Sequence, residues 1–230
     1  MQRAAVIVAG GSGLRMGGDL PKQFLPLGGV PILVRTVQAF LNWDPDIRIA
    51  LVLPEPHIPY WQPLAAEWLG ASQARVQTCA GGAARTASVD AGLRLIRSQL
   101  SGPCLVAVHD GVRPFVDAEL LRQAFEAAAE HGASVACVPV KATLRETLPG
   151  GLSRTVDRSR YLEVQTPQTF SLDALLDCFA RRPHDQFSDD AGLYESFGHA
   201  VAVCPGSYDN IKITTPEDLA VGENILRRRA

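Results

Sequence analysis

Residues 9–24 read AGGSGLRMGGDLPKQF and follow directly on the apolar run AAVIVA (4–9). Gly10, Gly11 and Gly13 permit positive φ and let backbone N–H groups approach an anion closely. Arg15 stands inside the glycine run and Lys22 follows Pro21. Two fixed cations beside a nest of amides suit a polyphosphate, which has several charges to neutralise. The spacing from Gly11 to Gly17 is G-x-G-x-x-x-G, one residue longer than the dinucleotide fingerprint, and no Gly-Lys-Ser/Thr follows. Glycines also crowd strand-to-helix turns for steric reasons alone, so the loop by itself leaves turn and function even. The cations tip the balance toward phosphate chemistry that is neither P-loop hydrolysis nor hydride transfer.

Asp110 and Arg113 lie together in HDGVRPF (109–115). A carboxylate ending an apolar run is suited to a divalent ion or to substrate hydroxyls. Mg²⁺ bound with a triphosphate keeps most of its waters and asks for few protein ligands, so no dedicated metal cage is expected beyond Asp110. The five cysteines, Cys79, Cys104, Cys137, Cys178 and Cys204, form no C-x-x-C pair and sit mostly in apolar runs. They are expected as buried, reduced thiols. The five histidines are scattered without zinc-ligand spacing. A formal net charge of −2 gives no sign of a nucleic-acid-binding or membrane-binding surface. No apolar run is long enough for a bilayer and the N-terminus has no signal-peptide pattern, which points to a cytoplasmic protein.

The elements that must hold these residues alternate in type. Strands are expected at 4–9, 47–53, 75–81, 104–110, 133–140 and 200–206, mostly apolar throughout, as strands covered on both faces are. Between them run helical patterns. In DAELLRQAFEAAAEH, Leu120, Leu121, Ala124, Phe125 and Ala128 share a face, with Asp117 as N-cap. TPEDLAVGENILRRR starts with Thr215 as cap, Pro216 in the first turn and Asp218 three residues on. This βαβα rhythm predicts an α/β fold: a doubly wound, mainly parallel sheet with helices on both faces and the glycine loop at a carboxyl end. One polar stretch, 141–164, breaks the rhythm around a PGG turn and reads as a hairpin outside the sheet. A single domain over 1–230 is expected, with an arm at 138–162.

Five segments after the first loop, and that loop itself, carry a resemblance. GGAARTASVDAGL (81–93), HDGVRPF, TVDR (155–158), QTPQTF (165–170) and DNIKITTPEDL (209–219), together with AGGSGLRMGGDLPKQFLPLGGVPIL, resemble in the same order the 2-C-methyl-D-erythritol 4-phosphate cytidylyltransferase family. That resemblance implies a Rossmann-like nucleotidyltransferase fold, CTP and a polyol phosphate as substrates, a divalent cation such as Mg²⁺, and a homodimer with exchanged arms. By resemblance, Arg15, Lys22 and Lys212 are catalytic, gripping the triphosphate and the departing pyrophosphate. Ala9, Gly10, Gly11, Gly13, Gly81, Gly82, Arg85, Ser88 and Thr166 would bind the nucleotide, with Arg85 ordering its loop. Asp110, Arg113, Arg158 and Ser188 would bind the polyol phosphate, Arg158 from the partner's arm and Ser188 where the family usually has Thr, helped by its place at a helix start. Ala83 stands where an acidic residue is expected. The rival readings are a ribitol-5-phosphate cytidylyltransferase, which shares the first loop, HD…RPF and TPQ, and a non-catalytic nucleotide-binding module. An NAD-linked oxidoreductase fits poorly, because the glycine spacing is wrong.

Overall fold

The computed structural model describes residues 1–10, 20–183 and 187–229. Gly11, Gly13 and Arg15 therefore lie outside the described residues. The chain runs β1 (Gln2–Val8), β2 (Pro26–Leu27), β3 (Val30–Pro31), α1 (Ile32–Trp43), β4 (Arg48–Leu53), α2 (Ile58–Leu69), β5 (Val76–Ala80), α3 (Arg85–Gln99) and β6 (Cys104–Asp110). It continues through α4 (Ala118–His131), β7 (Ala133–Pro139), β8 (Arg145–Thr147), β9 (Ser153–Thr155), β10 (Leu162–Ser171), α5 (Leu172–Arg181), α6 (Asp190–Ser196), β11 (Ala202–Pro205) and α7 (Pro216–Arg229).

Seven strands form one sheet in the order β11-β7-β10-β6-β1-β4-β5. All neighbours are parallel except β10, which runs antiparallel between β6 and β7. The six apolar runs found in the sequence are β1, β4, β5, β6, β7 and β11. In the central strands uninterrupted apolarity has the expected cause, for all of β6 is buried and both sheet faces are covered, while the edge strands β5 and β11 are partly exposed. On one face α1, α2 and α4 pack Val37, Phe40, Trp61, Leu121 and Phe125 against Ile7, Leu51 and Ala107. On the other, α3, α5 and α6 bring Val89, Leu93, Leu175 and Leu193 against Val6, Val52 and Val108.

Helix ends follow local chemistry. The Asp117 carboxylate accepts the Leu120 N–H at 2.9 Å, and Gly132, at φ 87°, closes α4 with its N–H on the Ala128 carbonyl. At α7 the Asp218 carboxylate accepts the Thr214 and Thr215 N–H groups at 2.8 and 2.9 Å, while the Asp218 N–H donates to Thr215 Oγ1 at 3.3 Å. This is the reciprocal cap anticipated from TPED. No helix among the described residues is long and apolar enough to cross a membrane.

The expected hairpin is present as a separate two-stranded sheet, β8 with β9, all six residues exposed, turning through Gly150 and Gly151 at φ 74° and 76°. The strand β10 departs from the sequence reading, which ended the polar stretch at 164 and treated QTPQTF as a motif only. A proline inside a run argues against a central strand. Here the pairing of β10 with β7 breaks between Val164 and Gln168, around Pro167, so the ladder never asks for the missing N–H.

Candidate active site

A cleft of about 310 Å³ opens at the carboxyl ends of β1 and β6. Ala9 and Gly10 enter it from the end of β1, and Lys22 and Gln23 from a short 3₁₀ turn, Lys22–Phe24. Gly82, Arg85 and Ser88 come from the start of α3, Asp110 from the last residue of β6, and Lys212 from the segment ahead of α7. Two of the three cations predicted to meet, Lys22 and Lys212, thus line one cleft although nearly two hundred positions of chain separate them. A roomier groove of about 700 Å³ lies at the opposite, amino end of the sheet, lined by Arg3, Asp44 and Arg48 among others, and holds none of the predicted site residues.

Asp110 is the electrostatic centre. Its Oδ2 accepts from Lys212 Nζ and Arg113 Nε, each at 3.1 Å. Burial alone would raise its pKa, but the Lys212, Arg113 and Arg85 charges outweigh burial and hold it below the ordinary carboxylate value. Arg113 also donates to the Asn210 carbonyl at 2.8 Å, so its guanidinium faces inward and locks HDGVRPF to DNIK. The Asp110 backbone N–H donates to Thr166 Oγ1 at 3.1 Å. Thr166 Oγ1 then meets His109 Nδ1 at 3.1 Å, and His109 Nε2 meets the Arg113 carbonyl at 3.1 Å. A carbonyl can only accept, so the proton sits on Nε2 and Nδ1 accepts from the threonine hydroxyl. Burial lowers the His109 pKa to about 4, which keeps this tautomer neutral. Thr166 therefore positions Asp110 from beneath, its side chain buried under the cleft.

The loop at Gly82–Ala84 is held by Ser88. Its hydroxyl accepts the Gly82 N–H at 3.2 Å and donates to the Ala84 carbonyl at 3.0 Å. A Cβ on Gly81 would lie 2.7 Å from Ser88 Oγ, and one on Gly82 2.5 Å from Ala87 Cβ. These glycines are needed for close approach. Gly10 differs from expectation: its φ lies outside the left-handed region, and a Cβ there would meet nothing within 4 Å among the described residues.

Arg85 forms a two-pronged ion pair with Asp190, at 3.0 and 2.7 Å. Burial works against its charge, but the Asp190 carboxylate outweighs burial and holds the pKa above the ordinary arginine value. Ser188 is exposed, with its Oγ 3.4 Å from Asp189 Oδ1. The helix-start argument for Ser188 fails. The Asp190 and Ala191 N–H groups donate to Gln168 Oε1 at 3.1 and 2.9 Å, and the Gly192 N–H to Asp189 Oδ1 at 3.0 Å. Those amides are already occupied, which leaves the hydroxyl of Ser188 as its contact group. Arg158 is exposed at the foot of the arm, outside the cleft, donating to the Lys141 carbonyl.

A family model for IspD, 2-C-methyl-D-erythritol 4-phosphate cytidylyltransferase, matches residues 3–228. The chain belongs to the IspD family. The enzyme of this name from Bacteroides thetaiotaomicron is 44% identical over 226 residues, covering 98% of this chain and all of that protein. The one from Bacillus mycoides is 41% identical, covering 96% of each. Among solved structures, 4-diphosphocytidyl-2C-methyl-D-erythritol synthase from Anaerococcus prevotii superposes with a TM-score of 0.84 at 28% identity, covering 99% of both chains. The cytidylyltransferase from Thermus thermophilus gives 0.76 at 33%, covering 96% and 98%. Membership of the IspD family decides for the erythritol reading over the ribitol one, and for an enzyme over a non-catalytic module.

Residues that sequence motifs missed in this IspD chain are buried and polar. Gln23 donates to the Ala9 carbonyl at 3.1 Å and meets His57 Nδ1 at 3.0 Å, fixing the end of β1 beside the cleft. Gln168 and Asp190 hold the turn that carries Ser188. Their partners lie far away in sequence, so no local spacing marks them. Among the described residues no three His, Cys, Asp or Glu side chains gather as a metal site. A lone cleft carboxylate, Asp110, still fits Mg²⁺ that arrives on a triphosphate and keeps its waters.

Proposed function

We propose that this chain performs the family reaction with the residues of the cleft at the carboxyl ends of β1 and β6. CTP and 2-C-methyl-D-erythritol 4-phosphate give 4-diphosphocytidyl-2-C-methyl-D-erythritol and pyrophosphate. A phosphate oxygen of the polyol substrate attacks the α-phosphorus of CTP, a new P–O bond forms, and the bond to the pyrophosphate oxygen breaks. The attacking phosphate is largely a dianion near neutral pH, so no general base has to remove a proton. The protein's task is to bring two anions together and to neutralise charge as it shifts to the leaving group. Lys22 and Lys212, as compact point charges on the cleft walls, do this, joined by Arg15. Mg²⁺, when bound, adds charge neutralisation at the triphosphate, and Asp110 is the carboxylate that would hold it. Gly82 and Ser88 contact the nucleotide side; Ser188, Arg113 and the Asp110 region face the polyol phosphate.

The carrying observation is the convergence of Lys22 and Lys212 on the cleft that contains Asp110. The test is CTP-dependent pyrophosphate release with methylerythritol phosphate, ribitol 5-phosphate and related polyol phosphates, comparing wild type with Lys22→Ala. The variant is expected to lose about a hundredfold or more in kcat while its melting temperature stays within a few degrees. Near-normal turnover would remove Lys22 from the chemistry.

A homodimer built through the arm accounts for further exposed apolar side chains. Leu152 on the arm and Tyr161, Leu162 and Val164 entering β10 are 68, 47, 45 and 49% exposed, along the stretch that also carries Arg158. In such a dimer Arg158 reaches the partner's polyol-phosphate site, where its planar fork suits phosphate. Mixed dimers of Arg158→Ala with Lys212→Ala should regain part of the activity that each homodimer lacks, because one of their two sites is intact. No recovery would place Arg158 in its own subunit's site or outside the reaction.

A further inference from the structure

We propose that Asp190 is a positioning residue for the reaction, binding the nucleotide wall and the polyol-phosphate wall of the cleft into one frame through Arg85. The proposal rests on the reading above, in which Arg85 borders the nucleotide and Ser188 the polyol phosphate. Arg85 is the first residue of α3 and lines the cleft. Asp190 is the first residue of α6 and only 1% exposed, 105 positions further along the chain. Their two parallel hydrogen bonds, at 3.0 and 2.7 Å, fix both the separation and the relative rotation of the two helix starts.

The Asp190 side of this frame is closed by β10. Gln168 Oε1 accepts the Asp190 and Ala191 N–H groups, and Gln168 Nε2 donates to Asp189 Oδ2 at 2.8 Å. The turn bearing Ser188 therefore cannot move without breaking bonds to the sheet or to Arg85. The Arg85 side is closed by Ser88, which ties the Gly82–Ala84 loop into the same helix start. A displacement at either wall is transmitted to the other through one carboxylate. Stability alone gives no reason for a charged pair at this place. Apolar residues of similar volume in place of a buried ion pair are often as stable or more so. What an apolar pair lacks is orientation, and orientation is what two substrates meeting in line require.

The experiment compares wild type with Asp190→Asn, with Gln168→Met and with the double variant Arg85→Met/Asp190→Leu. It measures melting temperature and separate KM values for CTP and for methylerythritol phosphate. Asp190→Asn keeps the shape and removes the charge, and is expected to raise both KM values about tenfold. The apolar double variant is expected to melt near wild type yet keep a raised KM for the polyol phosphate, a substrate that Arg85 does not border. Gln168→Met leaves the ion pair in place and loosens the turn at Ser188, and should raise the polyol-phosphate KM more than the KM for CTP. If Asp190→Asn fails to fold, the apolar double variant carries the comparison. Wild-type KM values in a stable double variant, or a lower melting temperature with both KM values unchanged in Asp190→Asn, would overturn the proposal. Ser188→Ala with an unchanged polyol-phosphate KM refutes instead the placement of that substrate, and the CTP KM of Asp190→Asn then decides on the frame.

Discussion

Gly92 lies in the second turn of α3, the helix that begins with Arg85 and Ser88. A Cβ there would sit 2.4 Å from Val6 Cγ1 and 2.9 Å from Val52 Cγ2. Carbon atoms in good contact are about 3.5–4.0 Å apart, so the helix or the valines would have to yield by roughly 1 Å. Val6 and Val52 are 0 and 1% exposed on adjacent strands and have nowhere to retreat. Two effects oppose each other in Gly92→Ala. Alanine is favoured over glycine in a helix interior by about 1 kcal/mol. Overpacking a dense core costs about 1–3 kcal/mol, and a contact this short with both neighbours on the sheet belongs at the upper end. The expected net loss is about 1–2 kcal/mol, seen as a lower urea midpoint at unchanged slope. Adding Val6→Ala should relieve the clash, so the double variant is expected to be more stable than the sum of the single changes predicts by about 1 kcal/mol. Because α3 carries the nucleotide loop, a shift of roughly 1 Å should also lower kcat/KM by up to about a hundredfold. A Gly92→Ala protein as stable as wild type, or strict additivity with Val6→Ala, would refute the claim that this glycine sets the distance between helix and sheet.

Thr166→Val should cost about 1–3 kcal/mol, because it strands the buried Asp110 N–H and removes the hydroxyl from His109 Nδ1. Thr166→Ser should recover most of that loss in the same denaturation series, and no difference between Val and Ser would rule the hydroxyl out. Stability should also fall as pH drops from 7 to 5. His109 has a pKa of about 4 in the folded chain against 6.5 for an ordinary histidine, so between those values the unfolded state binds more protons. The change is worth about 2 kcal/mol at pH 5 from this residue alone. His57, whose pKa burial also lowers, acts in the same direction. The depressed Asp110 adds its own loss only lower, as pH falls below the ordinary carboxylate range. Urea midpoints at pH 7 and pH 5 for wild type and His109→Gln check this, and an equal pH dependence in both proteins would exclude His109 as the cause.

Much of this was legible in the residues. The central strands β1, β4, β6 and β7 announced themselves because burial on both faces demands unbroken apolar runs, and the caps at Asp117 and Thr215 are local chemistry. The cleft was legible in part: Lys22 beside the glycine loop and Asp110 at the end of an apolar run suggested phosphate chemistry by residue type, whereas Lys212 was reached only through the resemblance of DNIK to the family. The strand β10 was not, since Pro167 and the polar residues around it disguise a buried strand whose irregularity is itself the feature that supports Asp110. Nor were Asp190, Gln168 and His109. A buried polar side chain is explained only by its partner, and Asp190 meets Arg85 across 105 residues. Periodicity and spacing carry no information over that distance.

The chain carries a formal net charge of −2, yet its cleft gathers Lys22, Arg85, Lys212 and the adjoining Arg113 against Asp110 and Asp190. The cations do not share one task. Arg85 is committed to Asp190 by both prongs of its fork. Arg113, 12% exposed, is tied to Asp110 and to the Asn210 carbonyl. Lys212 leans on the same Asp110 oxygen but is 44% exposed, and with one ion pair among the described residues it is the easiest of the three to redirect. A triphosphate offers it more negative charge than half a share in one carboxylate. Asp110 thus reduces repulsion between Lys212 and Arg113 and holds the lysine at the cleft. In the proposed reaction the two arginines would keep the walls in place while the lysine turns to the phosphates. Within this cleft the fixed ion pairs belong to Arg85 and Arg113, and the more exposed cation is Lys212.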